Sequence, residues 1–136
     1  MGGRGGLNLL LDTHALLWWF KGDERLSLTA REAILECDGT VYTSAVSAYE
    51  LALKYRLGKL PEAKELVLRY HFQISEQGFA YLALDAGHAL RAGLLETEHR
   101  DPFDRQLFAQ AQMHDLILVS KDQAADEPSL HVRRLW

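Results

Sequence analysis

The chain has one cysteine, Cys37. It cannot form an internal disulfide, and without a cysteine cluster no thiolate zinc site can be built. A reducing cytoplasm is the compartment expected. Basic charge is not in excess either: 15 Lys and Arg against 19 Asp and Glu give a net charge of −4 and a pI near 5.8. The broad basic face that marks most nucleic-acid binders is therefore missing. That weakens a nucleic-acid reading, though less so if several acids gather at one spot and are neutralised there by metal. No long hydrophobic run is present. The most apolar window, LNLLLDTHALLWWF, is interrupted by Asp12 and His14 and falls short of the roughly 20 apolar residues that a membrane helix needs. The opening MGGRGG lacks the apolar core of a signal peptide, so residues 1–6 read as a flexible glycine-rich lead or a cloning remnant and no export is expected. Internal repeats, linkers and low-complexity tracts are also lacking.

What is there suits one folded domain over residues 7–136. A length of 136 residues, with 48% hydrophobic and 25% charged residues, is enough to bury a core. Asn8 to Leu11 read as a strand ending in Asp12, followed by a helix over Thr13 to Phe20. Thr29 to Cys37 carries Ala30, Ala33, Ile34 and Cys37 at helical spacing, with Ser27 or Thr29 as its cap. The β-branched TVYTS predicts a strand. AVSAYELALKYRLGKL then repeats apolar residues at three and four spacing until Gly58, a suitable C-terminal cap. Pro61 begins a helix with Leu66, Val67 and Tyr70 on one side, fading near Gly78. FAYLAL predicts a strand, DAGHALRAGLL and DPFDRQLFAQAQM helices, LILVS a fully buried strand, and HVRRL a last edge strand. Strands separated by helices imply right-handed crossovers and a three-layer α/β/α sandwich around a mainly parallel sheet.

In such a sheet ligands bind beyond the carboxyl ends of the strands, where helix N-termini also point. That rule turns four scattered acids into a set. Asp12 ends the first strand, Glu50 lies in the second turn of the helix after VYTS, Asp104 in the first turn of the helix after HRDP, and Asp122 two residues beyond LILVS. Each has an innocent explanation alone. Asp12 caps a helix, Asp122 opens a turn, and Glu50 is a solvated helix residue. Asp101, Pro102 and Asp104 read as N-cap, first helical residue and dipole-favoured acid.

Together the acids are harder to dismiss, because Glu50 sits between Tyr49 and Leu51 on a mostly apolar helix. Two like charges about 4 Å apart repel by about 4 kcal/mol at an effective dielectric of 20, so an uncompensated cluster raises carboxylate pKa values or pushes the sheet edge apart. A hard divalent cation removes that penalty, and oxygen ligands without cysteines favour magnesium or manganese over zinc. None of the six histidines forms an HxxxH pair. Their default reading is surface or satisfied packing; His14 and His99, near the acids in sequence, leave a substrate contact open.

The blocks LLLDTHALLWW, TSAVSAYELALKYRLGKL, HRDPFDRQLFAQAQ and LILVSKD, in this order, resemble the PIN domain, specifically the VapC-like toxins of bacterial toxin–antitoxin pairs. The resemblance covers nearly everything after the glycine lead. It implies a cytoplasmic endoribonuclease that uses Mg2+ or Mn2+, is inhibited by a cognate antitoxin protein, and forms a homodimer exposing an apolar groove to an antitoxin segment. Asp12, Glu50, Asp104 and Asp122 carry over as the metal-binding and catalytic quartet, and Asp101 as a companion whose capping role accounts for it. Metal held by Asp12 and Asp104 would activate water for in-line attack on phosphorus, with Glu50 and Asp122 completing or positioning that shell. The products implied are a 5′ phosphate and a 3′ hydroxyl. Thr13, Ser47 and Ser120 are candidates for orienting the acids, with local caps and turn bonds as the alternative. Lys54, Arg56, Lys59, Arg100, Arg105 and Lys121 are candidates for gripping RNA phosphates, with solvated faces as the alternative. Trp18, Trp19 and Phe20 continue an apolar helix and read as core or interface rather than base-stacking platforms.

Other readings fare worse. Aspartyl-nucleophile phosphatases need a second acid two residues after the first, and that position is His14. A phosphate-accepting receiver domain needs an adjacent acid pair after the first strand, which is missing. The remaining alternative is a PIN-like scaffold that binds RNA or a protein partner without cutting; the presence of all four acids argues against it.

Overall fold

The computed structural model describes residues 6–136. The expected glycine-rich lead therefore lies, apart from Gly6, outside the described residues. Among these, five strands form one parallel sheet: β1 (Leu9–Leu11), β2 (Val41–Ser44), β3 (Ala80–Leu82), β4 (Ile117–Val119) and β5 (Arg133–Leu135). Their order is β3-β2-β1-β4-β5. The connecting helices are α1 (Thr13–Lys21), α2 (Leu28–Leu35), α3 (Ala45–Arg56), α4 (Lys64–Leu68), α5 (Tyr70–Gln77), α6 (Ala86–Leu94) and α7 (Pro102–Met113). Short 3-10 turns at Pro61–Ala63, Gln123–Asp126 and Pro128–Leu130 complete the chain path.

The three layers follow from the two-residue period of a strand. In β1, Leu9 and Leu11 enter one apolar core while Leu10 enters the other. In β4, Ile117 and Val119 share the first core, and Leu118 joins Leu10 in the second. Both strands are buried throughout, as a strand covered on both faces must be. The first core is closed by α1, α2, α4 and α5 through Leu16, Ile34, Leu66 and Ile74. The second is closed by α7 through Leu107, Phe108 and Ala111. α3 bridges them, giving Leu51 to the first and Val46 to the second.

Helix starts are written in the sequence. Asp12, Ser27, Ser44 and Asp101 are the N-caps of α1, α2, α3 and α7, each accepting from first-turn amides. Gly58, after α3, and Gly78, ending α5, adopt φ of 77° and 70°, the left-handed conformation a side chain disfavours. One expected helix differs. The segment from Pro61 to Gln77 is a 3-10 turn followed by α4 and α5, broken at Arg69 with φ −121° and ψ 31°. On a straight helix Leu66 and Ile74 would lie about 80° apart around the axis. The break lets both side chains reach the same core.

Strand order reverses at β1: the chain moves outward through β2 to β3, then returns past β1 to β4 and β5. Between β1 and β4 the onward connections diverge, leaving a crevice at their carboxyl ends. The N-termini of α1, α3 and α7 follow Asp12, Ser44 and Asp101. Leu10→Ala should destabilise the protein by about 2–5 kcal/mol, whereas the exposed Leu90→Ala should stay within about 0.5 kcal/mol. Urea unfolding midpoints of the two variants measure the contrast.

Candidate active site

Asp12 leaves β1 at this crevice. Its Oδ1 accepts from the Ala15 amide at 2.8 Å, and the Ser120 hydroxyl is a second partner. Burial pushes its carboxyl up to about 6, and the charges of Glu50 and Asp122 push the same way. Asp104, in the first turn of α7, is likewise raised to about 6 by burial. His99 pulls it down, its Nε2 lying 2.9 Å from Asp104 Oδ2, while Asp101 and Asp122 raise it. Asp122 follows β4, accepts from the Ala124 amide at 2.9 Å and keeps 47% of its side chain exposed. It acts electrostatically on both Asp12 and Asp104.

Glu50 is buried on α3, 4% exposed, and pairs with Lys54 one turn on. Lys54, expected among the phosphate grips, thus lies against a buried acid. The four carboxylates share one edge but not one tight knot. Among the described residues, the group whose ligand atoms all fall within 4.8 Å of one another is His99, Asp104 and Asp122. Asp12 and Glu50 flank it.

The smaller candidates occupy distinct places. Thr13 Oγ1 donates to Ser47 Oγ at 3.0 Å in a buried contact that joins the first turns of α1 and α3. Ser120 Oγ accepts from the Asp122 amide at 3.0 Å, shaping the turn that carries that acid. Asp101 accepts from the Phe103 and Asp104 amides at 2.9 and 3.4 Å, a cap at the start of α7. Arg105 turns away from the acids. Its guanidinium donates to the carbonyls of Ala92, Gly93, Leu95, Thr97 and His99 at 2.8–3.4 Å. It thereby closes the end of α6 and holds the loop behind it.

Of the remaining cations, Lys121 lines an open cleft of ≈ 240 Å³ with Asp12, His14, Trp18 and Asp122. Arg100 is exposed in the loop before Asp101, and Arg56 and Lys59 lie at and beyond the C-terminal end of α3. Trp18 is buried and packs edge-on against Trp136, and Trp19 and Phe20 pack around Phe79. Trp18 belongs to the first core, and Trp19 and Phe20 pack against it partly buried.

His99, which its nearness to the acids left open as a substrate contact, meets Asp104 instead. Its signal was its position, two residues before the Asp101 cap. Its approach to Asp104 depends on the path of a loop that no periodicity describes.

The chain as a whole resembles known proteins. The PIN domain family profile matches residues 9–129. Ribonuclease VapC22 of Mycobacterium tuberculosis is 31% identical over 115 residues, covering 85% of this chain and 87% of that protein. Among solved structures, a toxin–antitoxin complex from Klebsiella pneumoniae matches with a TM-score of 0.63 at 21% identity, covering 89% of this chain and 93% of that one. VapBC2 of Rickettsia felis, bound to a DNA fragment from its promoter, gives 0.66 at 16% identity over 96% and 99%. VapC20 of Mycobacterium tuberculosis, a sarcin–ricin-loop-cleaving toxin, gives 0.63 at 16% identity over 87% and 92%. At such identities the structures speak for the fold alone, but the profile spans β1 to the last 3-10 turn. The chain belongs to the PIN-domain family, with a VapC ribonuclease among its relatives.

Proposed function

We propose that residues 7–136 act as a single-domain, divalent-metal-dependent endoribonuclease, the toxin of a toxin–antitoxin pair. The observation that carries this reading is the pair of enclosed acids, Asp12 and Asp104. Both are raised to about 6 by burial, with Asp122 acting on each. Acids placed so are poor structural elements and good cation ligands. The ribonuclease and toxin–antitoxin names of its relatives support the same reading. Its partners are RNA, a cognate antitoxin and a second copy of the chain, in the cytoplasm.

The donor set fits a hard cation: Asp12, Asp104 and Asp122 offer carboxylate oxygens at one edge, Glu50 adds a fourth acid, and no thiolate is near. Mg2+ or Mn2+ is the ion proposed. When bound, it supplies neutralising charge and Lewis acidity at a phosphodiester. Asp12 and Asp104 would hold it. Glu50, paired with Lys54, acts on Asp12 electrostatically. Asp122, the most exposed of the set, orients the attacking water from the solvent side. Thr13, Ser47 and Ser120 fix the elements that carry the acids. Lys121 and Arg100 are the exposed cations nearest to receive RNA phosphates, and Asp101 serves by capping α7. Arg105 contributes by holding the loop rather than the substrate. In-line attack of water on phosphorus breaks the P–O3′ bond and leaves 5′ phosphate and 3′ hydroxyl ends.

Asp12→Asn and Asp104→Asn should each remain folded and cleave single-stranded RNA about 10²–10³-fold more slowly, the loss met when a charge-stabilising group is removed from a site. Undiminished cleavage by both variants in Mg2+ and Mn2+ would refute the assignment.

The raised carboxyls also set a pH dependence. A carboxylate whose folded pKa of about 6 exceeds its ordinary 3.8 stabilises the fold fully below 3.8 and ceases to do so as pH rises through about 6. Metal-free protein should therefore melt at a lower temperature near pH 7 than near pH 5, and added Mn2+ should raise the midpoint more at about pH 7, where the ligands are deprotonated. Calorimetry in chelator and in Mn2+ at both pH values measures it. An equal metal response at both pH values counts against these two acids as ligands.

A further inference from the structure

The loop between α6 and α7 is tied down from several directions, and its last anchored residue is His99. Arg105 donates to the Leu95, Thr97 and His99 carbonyls at 2.8, 3.3 and 2.9 Å. Thr97 Oγ1 donates to Glu127 Oε1 at 3.1 Å and accepts the His99 amide at 3.2 Å. The His99 ring lies 5.6 Å from the Phe108 ring, over the second core. Backbone and ring are thus both fixed, and Nε2 is delivered 2.9 Å from Asp104 Oδ2 and 3.9 Å from Asp122 Oδ2.

We propose that His99 is a positioning residue for Asp104: it donates its Nε2–H to Oδ2 and so fixes the carboxylate plane, leaving Oδ1 for the cation. This rests on the metal-site reading above and extends it to a residue outside the carboxylate quartet. A carboxylate accepts and cannot donate, so at neutral pH the proton of this contact belongs to the histidine. Without that tether Asp104 would rotate about its last torsion, which is broad for an aspartate. Among the described residues, His99 provides the hydrogen bond that Oδ2 makes. The Asp104 amide is held by Asp101, which fixes the backbone but not the carboxylate. Arg105 acts one step further back, by holding the loop that presents the ring.

The test compares His99→Ala and His99→Gln with the parent protein, reading Mn2+ affinity by electron paramagnetic resonance of the free ion. Glutamine carries an amide donor near the place of Nε2. His99→Ala should bind Mn2+ about 10- to 100-fold more weakly, as loss of a group that orients a ligand does, and His99→Gln should stay within about threefold of the parent. RNA cleavage should fall and recover in the same order. Unchanged Mn2+ affinity in His99→Ala overturns the proposal. Equal loss in both variants, with imidazole nitrogen coupling to Mn2+ in the parent, overturns it in favour of direct ligation. A second readout needs no metal: long-range 1H–15N spectra of the metal-free protein should show His99 as the Nε2–H tautomer, with that nitrogen shifting in Asp104→Asn. An Nδ1–H tautomer overturns the tether even if the site binds metal. The expected tautomer with undiminished Mn2+ binding by Asp104→Asn keeps the tether and refutes the metal-site reading instead.

Discussion

The enclosure of carboxylates at the end of a parallel sheet, with their charges acting on one another, is the constraint to which the rest of this structure answers. Asp12 is anchored by the Ala15 amide and Ser120, Asp122 by the Ala124 amide, Asp104 by α7 and His99, and Glu50 by α3 and Lys54. Each acid is therefore held by a different element. The sheet aligns those elements because β1 and β4 are neighbours whose onward connections diverge. The leucine alternation of β1 matters to chemistry for that reason. A shift of one residue would exchange Leu10 with Leu9 and Leu11 between the two cores and would carry Asp12 off the crevice.

Much of this was legible in the amino-acid order. Caps at Asp12, Ser27, Ser44 and Asp101, the apolar strands and the glycine after α3 are local signals, and local signals fix elements. The four acids were legible as a set because each lies just beyond a strand or early in the helix that follows one. Their distances were not. A knot of four carboxylates was expected, whereas the tight group pairs two of them with a histidine. The helix from Pro61 broke at Arg69 because two buried side chains had to reach one core, which is a demand of packing and not of propensity. Arg105 reads as a surface cation beside acids; only the path of the α6–α7 loop shows its donors meeting carbonyls. Lys54 is the instructive case. Its position four residues after Glu50 on a helix is a pairing signal, and that pair is what forms.

The chain's acidic balance fits this view. With a net charge of −4, the surface as a whole does not draw RNA electrostatically. Local arrangement has to do what bulk charge does not. Lys121 stands in the same cleft as Asp12 and Asp122, and Arg100 stands beside the Asp101 cap. Cations placed so near to acids lose much of their reach until the acids are neutralised. On the proposed metal site, metal and RNA binding would be coupled by simple electrostatics: an ion at the carboxylates would raise the local potential and free Lys121 and Arg100 to act on phosphates.

That coupling explains why compensation inside the site stops half-way. Lys54 offsets Glu50 with a full charge, and His99 holds Asp104 through a hydrogen bond. Asp12 accepts from Ser120 and a backbone amide, and Asp122 from a backbone amide with His99 3.9 Å away. Had every acid a cationic partner, the carboxylates would settle at ordinary pKa values and have little left to offer a metal. Had none a partner, burying Glu50 and enclosing Asp104 would cost more than a domain of this size can sustain. The intermediate case leaves two acids raised to about 6, largely by burial, which is the condition that a bound divalent ion would relieve.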